Sequence, residues 1–429
     1  NGDKLTAEDV AFTFNWIADE ANNSPNATEL IWMSEAVVVE EFVVDIFTKP
    51  DYAPYAPGFA SETRAIVPKG YVEEVGDEAF NVAPVGSGPY KFVEWRTGDR
   101  IILERNEDYW LVYPNLDEVV YRPIPELSVM MAELEAGGID LTDTMPATDV
   151  ARFQAMDGID VMQSAGMFYF YVYFNMQHLP SSDIRWRKAV YHSVNYEAAI
   201  FSIFQNLTGL RQYGSIPAGL WAHDTEYLRD SVALQEDDAE AKRLFQELKD
   251  EGIIPDNYKT KVYCPMDPRR RQLATIMATN LIENGIDCEV VPMDWATYLP
   301  LLDRSESDPT AADVDQGIIG WSGGYDPNDF AYYMFHTDNA TLGAANNVAW
   351  YSDPEVDQWL FEAATTLDQA EREALYVKAQ RKALESYCHI PGYNYIQTNG
   401  VNSRVKGFIV DPLGGYYLCD PYHNVWVEG

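Results

Sequence analysis

The sequence predicts an α/β protein made of two or three lobes. A chain of 429 residues is too long for one hydrophobic core, and 47% hydrophobic with 13% aromatic residues is typical of a globular protein. Hydrophobic periodicity predicts an alternation of helices and strands: helix 237–250, strand 261–264, helix 270–284 and strand 286–292. Such an alternation is typical of a βαβ unit, and it sets the fold class.

The first third of the chain predicts one helix followed by strands. The segment TAED at 6–9 resembles a capping box, and apolar residues then recur on one face, so we expect an amphipathic helix over about 6–20. Alternating apolar residues predict the strands that follow, with RTGD at 96–99 as a hairpin turn. These strands are 36–47, 90–95, 101–106 and 116–124.

The centre of the chain predicts a buried strand and then helices. The run MFYFYVYFNM at 167–176 is too apolar for an exposed edge strand. Alternation puts Tyr169, Tyr171 and Tyr173 on one face and the phenylalanines on the other, and we expect the phenylalanine face to be core. Residues 183–204 predict helices, with Arg185 and Arg187 pointing outward and anchoring a helix through ion pairs.

Towards the C-terminus the pattern predicts a linker, a strand and a long helical stretch. Proline and glycine fall together at 215–221, and an apolar strand follows the βαβ unit at 314–321. Residues 354–387 predict helix, and PGYNYIQTNGV and VKGFIV predict closing strands.

The charge of the chain excludes some classes of partner. There are 68 acidic and 30 basic side chains, giving a net charge of −38. Such a surface repels nucleic acid and anionic membranes. The acids are spread along the whole chain without a D-x-D-x-D-G calcium loop, which indicates a solvated acidic surface suited to high salt, as in a halophile.

The cysteine spacing and the absence of common catalytic motifs limit the classes of site that the sequence can contain. Cys264, Cys288, Cys388 and Cys419 contain no C-x-x-C pair, so free thiols and disulfides both remain open. No H-E-x-x-H helix, G-x-S-x-G elbow or phosphate-binding P-loop occurs. Paired carboxylates for glycoside hydrolysis remain an alternative, because the acids are so numerous.

Several stretches, in order, resemble one family. They are NGDKLTAEDVAFTF, PVGSGPYKFVEWRTGDRIILERNEDYW, LDEVVYRPI with ELEAGGIDL, YFNMQHLPSSDIRWRKAVYHSVNYEAAI, DWATYL, GWSGGYDPNDF and NNVAWYSDPEVDQWL. This ordered set resembles the extracytoplasmic solute-binding proteins of ABC importers, in the dipeptide/oligopeptide branch known as family 5, over essentially the whole chain. With the charge, the source we expect is haloarchaeal.

The resemblance implies a two-lobed periplasmic-binding-protein-like clamp of type II with an extra small lobe. The lobes we expect are an extra α/β lobe at 1–112, ligand lobe I at 113–214, ligand lobe II at 215–394 and a return to lobe I at 395–429. The chain begins inside the family's opening motif, so we expect it to be N-terminally truncated and to bind weakly or not at all. The resemblance further implies a monomer outside the cell, lipid-anchored when full-length, which binds a solute without a cofactor and delivers it to permease subunits.

The resemblance and the residue chemistry together give a set of candidate ligand-binding residues. The backbone of 320–322 is expected beside the ligand, Trp295 faces the cleft, and arginines at 269–271 offer bidentate donors to a carboxylate. Tyr169 and Tyr393 lie on strands expected to line the cleft or the hinge. The full set is Gly320, Trp321, Ser322, Gly324, Tyr325, Asp326, Trp295, Arg269, Arg270, Arg271, Tyr169 and Tyr393.

One position departs from the family pattern. Peptide binders carry an aspartate three residues after the tryptophan to neutralise the ligand's ammonium, and here that position is Gly324. Either Asp326 replaces it or the ligand has no free amino terminus. We therefore expect peptide first, and an oligosaccharide or a nickel complex as alternatives. The alternative from another class is a carbohydrate-active enzyme.

Overall fold

The computed structural model describes residues 1–22, 24, 26–30, 32–49, 52–54, 59, 62–302, 314–340 and 346–428. The chain divides into two compact units, one of residues 1–164 with 397–429 and one of residues 165–396. No described helix has the length and apolar character needed to cross a membrane. The predicted lobe borders at 112, 214 and 394 stay predictions.

The first unit begins with the helix that the capping pattern predicts. Helix α1 spans Ala7–Ala18, and Thr6 and Asp9 form the reciprocal capping box. Its apolar face packs on strand β1 (Met33–Glu40), which pairs with β2 (Val43–Thr48) in an antiparallel ribbon. The prediction of a single strand at 36–47 is therefore wrong, because this segment forms two paired strands. Helices α2 (Lys69–Val75) and α3 (Asp77–Val82) follow.

The rest of the first unit contains the predicted hairpin and short helices. Strands β3 (Tyr90–Arg96), β4 (Arg100–Arg105) and β5 (Glu118–Tyr121) form an antiparallel sheet, which confirms the RTGD turn. The remaining elements are α4 (Leu127–Glu135), α5 (Ala147–Gln154), β6 (Ile159–Ala165), β13 (Val405–Lys406) and β14 (Trp426–Val427).

The second unit is built on a mixed sheet with helices. Its strands are β7 (Phe168–Phe174), β8 (Gly209–Arg211), β9 (Lys259–Pro265), β10 (Asp287–Met293), β11 (Gln316–Ser322) and β12 (His389–Asn402). The sheet order is β10-β9-β11-β7-β12-β6, with β8 beside β12; β6 and the last residues of β12 belong to the first unit. The strand pairs of β9 are parallel and those of β7 antiparallel. The α/β prediction is confirmed.

The helices of the second unit follow the sequence pattern closely. They are α6 (Ile184–His192), α7 (Tyr196–Phe204), α8 (Glu226–Ser231), α9 (Asp238–Asp250), α10 (Pro268–Glu283), α11 (Trp295–Leu302), α12 (Asn328–Phe335), α13 (Pro354–Thr365) and α14 (Gln369–Glu385). Helix α9, strand β9, helix α10 and strand β10 are the predicted βαβ unit, with β9 and β10 parallel.

Two arginines on α6 behave differently from each other. Arg185 is paired with Asp183 at 2.8 Å and Glu251 at 2.6 Å, as predicted. The outward position predicted for Arg187 is wrong, because the side chain is 3% exposed and donates to the backbone carbonyls of Ser181 and Ser386. Carbonyl oxygens satisfy its donors, while burial lowers the pKa of Arg187 from its usual value.

All four cysteines are buried free thiols. Burial raises the pKa of Cys264 and of Cys388 to about 11, and that of Cys288 to about 12. The structure therefore answers the question that the sequence left open about bridging.

Candidate functional site

The candidate residues lie in the second unit, and most of them fall in two groups, which we call the arginine cluster and the glycine loop. The arginine cluster consists of Asp267, Arg269, Arg270, Phe170, Tyr393 and Tyr395. The glycine loop is the segment 320–326, which follows the buried part of β11.

The start of α10 fixes the arginine cluster. The Asp267 carboxylate accepts from the backbone N–H of Arg269 and of Arg270, each at 3.0 Å, and Pro268 occupies the first turn. Both features are typical of a helix N-terminus. The cap therefore holds the two arginines on one fixed turn beside the sheet.

The two arginines of the turn have different partners. The Arg269 guanidinium pairs with Asp267 at 2.8 Å and lies 4.3 Å above the ring of Tyr395. The Arg270 guanidinium lies 4.9 Å above the ring of Phe170, and its Nε–H is buried without a hydrogen-bond partner. Arg271 is exposed. Arg270 thus has a donor still to be satisfied.

An aromatic stack forms the floor of the cluster. Phe170 stacks on Tyr393 with ring centres 4.7 Å apart, and Tyr395 lies 4.4 Å from the same ring. The hydroxyls of Tyr393 and Tyr395 are buried without geometrically satisfactory partners, and burial raises the pKa of both phenols. Both tyrosines are therefore neutral and keep a hydroxyl able to donate a hydrogen bond.

The expectation that the phenylalanine face of β7 would be core is confirmed for Phe170 and Phe174, which are 3% and 0% exposed. Phe168 departs from it, because it is only partly buried. The Phe170 ring, although buried, lies under the Arg270 guanidinium. Tyr169, on the opposite face, is 0% exposed and stacks on Tyr171 at 4.6 Å, while Tyr393 is also 0% exposed. Tyr169 and Tyr393 therefore form part of the packed interior, and their ligand-binding roles stay predictions.

The glycine loop runs along β7 with little space beside it. Gly320 pairs with Phe170, and a Cβ on Gly320 would lie 2.2 Å from the Phe170 ring. Next in the strand, Trp321 pairs with Tyr169, and its indole N–H donates to the carbonyl of Asp329 at 2.5 Å. Ser322 is exposed.

The acids of the loop are held in distinct ways. The Asp326 carboxylate is 3% exposed and pairs with Arg372 at 2.8 Å. The Gly324 N–H donates to Asp329 Oδ2 at 3.1 Å, so Asp329 is the acid in contact with the position where the family carries its aspartate. No sequence pattern predicted a role for Asp329, whose one signal is its position three residues after Asp326.

Two exposed aromatic side chains complete the candidate set. Trp295 begins α11 and is 49% exposed, with its ring 6.1 Å from that of Tyr298, so it is a surface tryptophan and not a core one. Tyr325 in the glycine loop is 38% exposed. Either ring can stack on an apolar or sugar face of a ligand.

Comparison with known proteins finds one family and several relatives that match most of the chain. Residues 1–342 match the model of bacterial extracellular solute-binding proteins, family 5 Middle. The dipeptide-binding protein of Escherichia coli (strain K12) is 25% identical over 447 residues, covering 99% of this chain and 79% of the relative. Heme-binding protein A of Haemophilus influenzae is 26% identical over 354 residues, covering 82% of this chain and 61% of the relative.

A solved structure shows the same fold. The periplasmic binding protein DppA of Helicobacter pylori, in complex with the peptide STSA, superposes with a TM-score of 0.81. It is 24% identical, and the match covers 99% of this chain and 82% of that chain. The periplasmic-binding-protein-like α/β fold is therefore confirmed.

Proposed function

Because the chain belongs to the family of bacterial extracellular solute-binding proteins, family 5, we propose that it captures peptides outside the cell and passes them to an ABC permease. The mechanism is capture by closure of the predicted lobes, without a chemical step. The dipeptide-binding relative and the peptide complex of the structural relative support peptide as the ligand class. The heme-binding relative shows that ligands differ within such similarity.

The observation that carries the proposal is the unsatisfied donor of Arg270. Its Nε–H is buried without a partner, and the neighbouring Arg269 is already paired with Asp267. A carboxylate beside Arg270 would satisfy this donor and neutralise the guanidinium, and hydrogen bonds of this charged type contribute about 1.5–3 kcal/mol. We assign the ligand's C-terminal carboxylate to Arg270, with Tyr395 as a second donor.

The ligand's amino group needs an acid, and two candidates differ in cost. Asp326 is buried and already neutralised by Arg372, and breaking such a buried ion pair costs about 3–5 kcal/mol. Asp329 is partly exposed and already contacts the Gly324 backbone. We therefore favour Asp329 over Asp326 for the ammonium, with Trp295 and Tyr325 packing on peptide side chains.

The remaining expectations follow from charge and family. We propose that the protein acts as a lipid-anchored monomer at the surface of a halophilic, haloarchaeal cell, where concentrated salt screens a net charge of −38. An oligosaccharide stacked on Trp295 is the alternative that the exposed indole favours.

Calorimetry on the full chain tests the proposal. The probes are the peptide Ser-Thr-Ser-Ala with free ends, with an amidated C-terminus and with an acetylated N-terminus. Amidation should weaken binding at least about tenfold in the wild type, because it removes the charge that Arg270 would meet. Arg270→Gln should no longer distinguish the free from the amidated peptide. The control Arg243→Gln, which removes an exposed ion pair on α9, should still distinguish them.

The outcomes separate the alternatives. Equal affinities for free and amidated peptide would refute the role of Arg270. If acetylation weakens binding in the wild type and Asp329→Asn removes that effect, Asp329 holds the amino group; if only Asp326→Asn removes it, the original Asp326 hypothesis holds. Binding of maltooligosaccharides but of no peptide would favour the sugar alternative, and turnover of a model glycoside would favour the enzyme.

A further inference from the structure

A cavity lies in the unit 165–396 and shares no lining residue with the arginine cluster or the glycine loop. Its volume is about 460 Å³, within the range of about 300–1,000 Å³ that small-molecule sites occupy. The start of α7, the end of β8 with the residues that follow, and the segment 229–236 line it. Its charged and aromatic lining residues are Tyr196, Glu197, Arg211, Tyr213, Arg229 and Glu236.

Arg211 is a fixed cation in the wall of this cavity. Its side chain is 8% exposed, and its guanidinium lies 5.7 Å from the centre of the Tyr196 ring and 5.0 Å from that of Tyr213. Its Nη1 donates to the carbonyls of Pro391 and Gly392, and its Nη2 donates to the Tyr191 hydroxyl. Its Nε–H is buried and makes no hydrogen bond. Packing therefore holds a guanidinium in place with one donor unsatisfied.

Glu197 provides a carboxylate directly beside this donor. Its Oε1 lies 3.7 Å from Arg211 Nε and accepts from the Tyr213 hydroxyl, while its side chain remains 62% exposed. This distance is too long for a hydrogen bond, so Glu197 and Arg211 attract each other as charges while the Nε–H of Arg211 stays without an acceptor. A charged group of each sign thus faces the cavity at one point.

Two further lining residues, Arg229 and Glu236, add a second positive and a second negative charge. Arg229 is 49% exposed and its ion pair is with the adjacent Asp230, while Glu236 is exposed. The lining therefore has two guanidinium groups and two carboxylates. A ligand that is only an anion would meet Glu197 and Glu236, and a ligand that is only a cation would meet the two arginines.

We propose that this cavity binds a small zwitterion of amino-acid size, with its carboxylate at Arg211 and Arg229 and its ammonium at Glu197 and Glu236. The Arg211 Nε–H supplies the donor that a carboxylate oxygen satisfies, and the ring of Tyr213 offers a face to an apolar side chain. The site is independent of the peptide site, since Arg270 and the glycine loop take no part in it.

Three probes, each with the same phenyl ring but with different charged groups, test whether the cavity requires both a carboxylate and an ammonium. L-Phenylalanine carries both charges, 3-phenylpropionate only the carboxylate and 2-phenylethylamine only the ammonium. Calorimetry and saturation-transfer NMR on the full chain should show phenylalanine binding at least about tenfold more tightly than either other probe. Equal affinity for phenylpropionate, or no binding of phenylalanine, leucine or glycine at all, would overturn the proposal.

Point variants locate the binding. Glu197→Gln keeps an acceptor for Tyr213 but removes the charge, and Arg229→Gln changes an exposed side chain; each should weaken phenylalanine binding at least about fivefold. Arg243→Gln should leave the affinity unchanged. If Arg270→Gln abolishes phenylalanine binding while Glu197→Gln and Arg229→Gln do not, the amino acid occupies the peptide site and the proposal is refuted.

Discussion

The Arg372 guanidinium donates to the Asp326 carboxylate at 2.8 Å, and the two side chains are 9% and 4% exposed. Arg372 also donates to the carbonyl of Ala363 and lies 5.2 Å from the ring of Trp221. The Asp326 carboxylate further accepts the backbone N–H of Asn328. The pair thus fastens the end of the glycine loop to helix α14.

Breaking this pair should be costly. Arg372→Met keeps much of the side-chain volume but leaves Asp326 as an unpaired buried charge, so we expect a loss of about 3–5 kcal/mol in the free energy of unfolding, measured by urea denaturation. The control Arg243→Gln removes an exposed pair and should cost less than about 1 kcal/mol. If both variants lose the same small amount, the pair does not anchor the loop.

Gly320 should tolerate no side chain. A Cβ there would lie 2.2 Å from the buried ring of Phe170, so Gly320→Ala should overpack the sheet and cost about 1–3 kcal/mol. Gly219→Ala is the matched control, since its Cβ would meet nothing closer than 3.7 Å. Urea denaturation of the two variants should separate them; equal stability would show that Phe170 moves aside freely.

The sequence predicted well what neighbouring residues determine. The capping box at Thr6, the RTGD hairpin and the βαβ unit depend on residues close in the chain, and the structure has each of them. Alternation also separated the two faces of β7 correctly, because Phe168 stacks on Phe170 and Tyr169 stacks on Tyr171.

What the sequence did not predict depends on contacts between distant segments. Arg187 points inward because the carbonyl of Ser386, 199 residues away, accepts its hydrogen bonds. Asp326 is buried because Arg372, 46 residues later, neutralises it. Periodicity gives the relative faces of an element, but not which face another element covers, and so it did not predict that Tyr169 and Tyr393 are both fully buried.

The net charge should make stability depend on salt. With −38 charges the folded chain repels itself, and the Debye length falls from about 10 Å at 0.1 M salt to about 3 Å at 1 M. We therefore expect the unfolding temperature to rise between about 0.1 M and about 1 M KCl and then to level off. An unfolding temperature unchanged over this range would contradict the halophilic interpretation.

The cysteines should be unreactive in the folded protein. Each thiol is buried, and burial raises the pKa of Cys288 to about 12, so little reactive thiolate is present at neutral pH. Ellman's reagent should react slowly with the native protein and with all four thiols after unfolding without a reductant. Fewer than four reactive thiols in the unfolded chain would indicate a disulfide.

His389 should make the protein sensitive to acid. Its ring is 1% exposed, stacks on Tyr171 with centres 4.1 Å apart, lies 5.2 Å from Phe335, and neither ring nitrogen has a hydrogen-bond partner. Burial lowers the pKa of His389 from 6.5 to about 3, so the folded ring stays neutral at pH values where the unfolded ring is protonated. Its stability contribution is therefore complete above about pH 6.5 and is lost as the pH falls towards 3, at about 1.4 kcal/mol for each pH unit.

The wild type should lose about 2 kcal/mol from this group between about pH 7 and about pH 5, measured by urea denaturation at each pH. His389→Phe keeps an aromatic ring in the stack without a titrating group, so its loss over the same interval should be smaller by that amount. Parallel losses in the two proteins would show that His389 is protonated in the folded state or that its site opens readily to water.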